Sequence, residues 1–149
     1  MRHKRVRLVL FVLNVFGALT AIAGGIGLLT GGISLPPDLL QGTPFADYTL
    51  PGLALLIVVG GSFLFAAATI LTGREISALA SAFAGLAVMG FEVVEVAVID
   101  RSGGSWLLLA VALQAFYLLL GLACFGLAAS LWMTEFRGHH FPTRHVSHA

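Results

Sequence analysis

The chain has 149 residues, of which 58% are apolar and 10% charged, against roughly 25% charged in soluble domains. Its mean hydropathy is +0.99, and a soluble domain of this length has too little interior to hide so much apolar surface. A net charge of +1 gives no electrostatic bias toward nucleic acid, and the single cysteine, Cys124, has no partner for an intrachain disulfide. In its apolar run Cys124 reads as a small hydrophobe.

A helix needs about 20 predominantly apolar residues to cross a hydrocarbon core of roughly 30 Å. Four stretches qualify: Leu8 to about Leu29, Leu53 to Leu71, Ile76 to Ile99, and Trp106 to Trp132. The expected fold is a single all-α domain, an integral membrane four-helix bundle running up-down-up-down.

The first span follows Arg2, Lys4, Arg5 and Arg7. Ala21-Ile22-Ala23 before Gly24 resembles a signal-peptidase site, but the apolar run continues to Leu29, so a retained span is expected. Gly17, Ala21 and Gly25 recur every fourth residue, forming a smooth strip for close helix contact. The strip serves contact within the bundle or, alternatively, with a second copy. Thr20 and Gly24 form a neighbouring pair, and Asn14 is expected to hydrogen-bond between helices.

From Thr30 to Gly52 there is no Lys or Arg, but there are Asp38, Asp47, Tyr48 and four prolines. Pro37 to Gly42 suits one helical turn ended by glycine, and Pro51 suits the first turn of the second span. This is the only sizeable extracytoplasmic surface, with Asp47 and Tyr48 as its candidate ligand-binding residues. In the second span Gly60-Gly61 thins the helix. The connection Thr72-Gly73-Arg74-Glu75 makes a tight hairpin, with Gly73 at the left-handed position that ends a helix.

The third span repeats the small-residue pattern with Ser81 and Gly85, then carries Glu92 and Glu95. Three apart, the two acids share a helix face with Gly85, Val88 and Ile99. At 1.5 Å per residue, Glu95 lies roughly 7 Å and Glu92 roughly 12 Å below Asp100. Gln114 lies roughly 12 Å below Trp106, so a hydrogen bond between Glu92 and Gln114 is expected. Ser105 is placed to cap the fourth helix, and Trp106 and Trp132 bracket it at the two interfaces.

Seven of the eight basic residues flank the first, second-to-third and fourth spans on one side; only Arg101 falls on the other. By the positive-inside rule both ends of the chain are cytoplasmic in a bacterial inner membrane.

Acids inside a membrane are costly and make default functional hypotheses. Glu92, Glu95, Gln114 and Tyr117 therefore form a candidate proton or ligand site. Burial and a like-charged neighbour both disfavour full ionisation, which suits proton coupling or a cationic ligand. The structural alternative is a hydrogen-bonded pair that sets helix register, with Glu95 reaching toward water. His139, His140, His145 and His148 lie in the tail 133–149, where Pro142 and the lack of nearby acids or cysteines argue against a metal site. No span contains histidine, so bis-histidine haem ligation inside the membrane is excluded. No paired-cysteine motif, nucleotide loop or Ser-His-Asp set appears. No enzyme, metal or cofactor is expected.

The run Gly42-Thr43-Pro44-Phe45-Ala46-Asp47-Tyr48-Thr49-Leu50-Pro51-Gly52-Leu53, with Gly60-Gly61, resembles a group of small, uncharacterised bacterial four-span membrane proteins. Gly90 to Glu95, and Leu113-Gln114-Ala115-Phe116-Tyr117 with Gly121, add to that resemblance. It implies the fold and the retained first span, and supplies no activity. In size the chain is also similar to small multidrug-resistance transporters, but their essential acid lies in the first span, where this chain has none. The expectation is a non-enzymatic accessory, interaction or small-ligand-binding bundle, with the bilayer and a membrane complex or second copy as partners. The alternative is a proton-coupled transporter or channel using Glu92 and Glu95.

Overall fold

A computed structural model of the protein describes residues 2–98 and 107–135. Expectations that fall on Ile99, Asp100, Arg101, Ser105, Trp106 and the tail histidines lie outside the described residues. Among the described residues all regular structure is helical: α1 (Arg2–Thr30), a 3-10 turn (Pro37–Leu40), α2 (Thr49–Ile70), α3 (Glu75–Val98) and α4 (Leu107–Glu135). All four α-helices are long and apolar enough to cross a membrane. Even the shortest, with 22 residues, extends for about 33 Å.

Helix α2 begins at Thr49, four residues before the expected Leu53, because polar chemistry rather than hydropathy starts it. The Thr49 N–H donates to Asp47 Oδ1 at 2.9 Å, and the Gly52 N–H donates to the Tyr48 carbonyl at 2.8 Å. Within α2 the stretch Ala54–Gly60 is π-helical. At the far end Gly73 adopts φ +69°, a conformation that side chains with a Cβ resist, and turns the chain directly into α3. The 3-10 turn ends similarly at Gly42, φ +80°.

Helix α1 packs on α2 and α4, and α3 packs on the same two neighbours. The contacts are close because small residues sit where the helices cross. A Cβ on Gly25 would lie 2.7 Å from Leu56 Cβ and 2.9 Å from the Gly52 carbonyl; one on Gly17 would lie 2.8 Å from the Phe63 ring. Between α3 and α4 the backbones themselves meet. A Cβ on Gly85 would lie 2.6 Å from the Gly121 carbonyl, and one on Gly121 would lie 2.8 Å from the Gly85 carbonyl. Along this pair, contacts join Glu75 to Trp132, Gly85 to Gly121 and Glu95 to Gln114. Residue numbers thus rise on one helix as they fall on the other.

The core surrounds Phe63 with Ala18, Ala21, Val59, Ala66, Ala84, Val88 and Cys124. A second cluster of Leu10, Ile70, Ala78, Ala128 and Leu131 fills the end nearer the α2–α3 turn. Between the two diagonal helices, Asn14 of α1 donates from Nδ2 to Ser81 Oγ of α3 at 2.9 Å. Ser81 in turn donates to the Ser77 carbonyl at 2.9 Å.

Candidate functional site

The two glutamates follow Gly85 and Val88 along one face of α3, and the Gly85–Gly121 crossing turns that face toward α4. Glu92 is 4% exposed and Gln114 is 6% exposed, while Glu95, nearly one turn further on, is half-buried. Gln114 Nε2 donates to Glu95 Oε1 in a long hydrogen bond of 3.5 Å. Gln114 thus reaches the shallower of the two acids. Glu92 remains the more buried of the two.

Tyr117, three residues after Gln114 on α4, is half-buried. It packs against the core cluster and meets Phe116 edge to face at 5.4 Å. Phe116 meets Phe16 of α1 at 5.8 Å in the same manner.

The loop before α2 lies over this end of the bundle. The Tyr48 hydroxyl donates to the Pro36 carbonyl at 2.9 Å, which draws the loop closed across residues 36–48. Burial, and secondarily the negative charge of Glu95, push the Tyr48 hydroxyl above its ordinary pKa. Asp47 is held below the ordinary carboxylate value by its hydrogen bond from the Thr49 backbone. The structure thus brings Tyr48 within the field of Glu95, whereas Asp47 faces solvent and accepts from the first N–H of α2.

The small residues Gly17, Ala21, Gly25, Ser81 and Gly85 are all buried. The first three lie along α1, with Gly17 and Gly25 set against α2; Ser81 is taken by Asn14 and Gly85 by α4.

At the opposite end lies a cluster that residue-by-residue reading missed. Arg7 forms an ion pair with Glu135 of α4. It also donates to the Gly73 carbonyl at 3.1 Å and the Ile70 carbonyl at 3.5 Å, satisfying backbone oxygens left open at the end of α2. Beside it Trp132 Nε1 donates to Glu75 Oε1 at 2.7 Å, tying α4 to α3. The signal was present in the sequence: once the spans are oriented, Arg7, Glu75 and Glu135 sit at one level with opposite charges. Counting Arg7 only as a topological marker concealed it.

Among the described residues no three His, Cys, Asp or Glu side chains gather as a metal site. No protein-family model, curated protein or solved structure matches the chain.

Proposed function

We propose that this chain is a multi-pass bacterial inner-membrane protein with up-down-up-down topology and both ends cytoplasmic. In this reading it acts without catalysis as an accessory, interaction or small-ligand-binding bundle. The observation that supports it is an inverted distribution of polarity. Large apolar side chains such as Leu19, Ile57, Leu64, Phe83, Leu108 and Leu119 stand exposed, while Asn14, Ser77, Ser81, Glu92 and Gln114 are buried. Water would oppose that arrangement and lipid favours it. A reporter fused after Ala149 is expected to read cytoplasm, and one inserted between Leu39 and Thr49 to read periplasm. Periplasmic activity from the fusion after Ala149 overturns the topology.

The burial of Glu92 beside Glu95 favours a second reading, a proton-coupled transporter or channel built on these acids. Carbodiimide couples to protonated carboxyls in apolar surroundings, so labelling at Glu92 that persists at neutral pH supports it. Labelling lost by about pH 6 marks an ordinary glutamate and rejects this reading.

A further inference from the structure

Outside the acidic site, the surface between α2 and α3 opens into an apolar groove of about 540 Å³. Ile57, Ser62 and Phe65 line it from α2, and Ile76, Leu79 and Phe83 from α3. Ile76, Leu79 and Phe83 follow the ordinary helical spacing of one face. Val58, Ser62 and Phe65 keep the same spacing on α2, with Ile57 beside Val58.

The groove runs toward the α2–α3 turn, and that turn carries an exposed cation. Arg74, two residues before Ile76, is exposed, and its guanidinium makes no hydrogen bond or ion pair among the described residues. The neighbouring charges differ: Arg7 is engaged by Glu135 and the turn carbonyls, and Glu75 by Trp132.

From Ile57 to Phe65 the groove covers about 12 Å of helix, close to the half-thickness of a hydrocarbon core of roughly 30 Å. An apolar chain ending in a negative charge matches the apolar lining and the exposed Arg74 cation two residues from Ile76.

We propose that the groove holds an acyl chain of one anionic phospholipid, whose phosphate headgroup rests on the Arg74 guanidinium. The proposal rests on the membrane reading above, and the two are separable by experiment. Carbonate extraction of membranes tests insertion alone: release of the protein overturns insertion whatever lipid it binds. The lipid site is tested by native mass spectrometry of detergent-solubilised protein titrated with phosphatidylglycerol or phosphatidylcholine.

One retained phosphatidylglycerol is expected, favoured about fivefold over phosphatidylcholine, the effect of a single basic residue at an anionic membrane surface. Arg74→Gln, at an exposed position, is expected to abolish that preference. Ser62→Leu fills the groove and is expected to reduce retention of both lipids several-fold; its hydroxyl bonds only the Val59 carbonyl of its own helix. Lys4→Gln, which removes an exposed charge on α1, is expected to leave retention unchanged. Absence of preference in the wild type overturns the site. So does equal loss in Arg74→Gln and Lys4→Gln, which would mean general surface charge. A lipid-free dimer abolished by Ser62→Leu would assign the groove to a second copy instead.

Discussion

The two ends of the bundle handle charge in opposite ways. At the α2–α3 turn, Arg7 meets Glu135 and the Ile70 and Gly73 carbonyls, while Trp132 meets Glu75, so that all four helices are tied together. At the other end the charges among the described residues are of one sign. Glu92 and Glu95 share a helix face, a neutral amide contributes one long bond, and Tyr48 sits in the field of Glu95. An ion pair with backbone acceptors fixes geometry. Two acids side by side on one helix face tie no helices together by opposite charge. The contrast places the ion-paired anchoring at the first end; in the second reading proposed above, any response to protons or cations would fall to the other.

The largest expected effect breaks both ends at once by forcing apart the crossing that aligns them. Gly121→Leu or Gly85→Leu drives a side chain into the opposing backbone and is expected to cost about 3 kcal/mol or more. Gly90→Leu, on the same helix but facing open space, is the control and is expected to unfold like the wild type. Thermal unfolding in detergent reads the difference; equal unfolding temperatures for Gly85→Leu and Gly90→Leu would show that the seam does not hold the bundle.

Next comes the tied end. Arg7→Leu removes a partly buried ion pair and bonds to two carbonyls and is expected to destabilise by about 2 kcal/mol. Arg7→Lys keeps the charge but loses the planar fork, so an intermediate loss is expected. If both variants unfold like the wild type, the Arg7 contacts are an ordinary exposed pair.

The acidic end sharpens the comparison through isosteric change. Glu92→Leu removes a polar side chain buried in the bundle and is expected to weaken it by about 1 kcal/mol. Glu92→Gln keeps shape and hydrogen bonding, so normal unfolding is expected. Proton flux in proteoliposomes then separates the readings: flux abolished by Glu92→Gln identifies a proton site, and flux indifferent to it removes Glu92 from any such role. Glu95→Gln is expected to do less, since that side chain is the more exposed.

The smallest effect belongs to the loop. Tyr48→Phe removes the hydroxyl bond to Pro36 and is expected to cost about 1 kcal/mol at most, seen as faster proteolysis between residues 31 and 48. Because the folded protein holds the Tyr48 proton more tightly than the unfolded chain, its contribution is complete below pH 10 and is lost as pH rises through the raised value. Ultraviolet titration of tyrosinate, compared with Tyr48→Phe, checks the direction.

Much of this framework is legible in the chain itself. Four apolar runs of sufficient length mark four helices, and Gly73 marks the turn between the second and third. Pro37 to Gly42 marks the short turn that the structure shows as a 3-10 helix. The start of α2 is less legible, because Asp47 caps it from outside the apolar run. The candidate site is legible as a set of residue types, whereas the bond from Gln114 to Glu95 is a tertiary contact that spacing along one helix does not give.

Length and hydropathy are sums over a segment, so the sequence by itself determined that four helices capable of crossing a membrane form, and roughly where they begin and end. Which faces meet depends on the rotation of each helix about its axis, and that is settled only where side chains and backbones interpenetrate. The tertiary structure alone therefore decided that Gly85 meets Gly121, that Arg7 closes the α2–α3 turn, and that an apolar groove opens between α2 and α3. Each depends on distances between residues tens of positions apart, which no local pattern in the chain encodes.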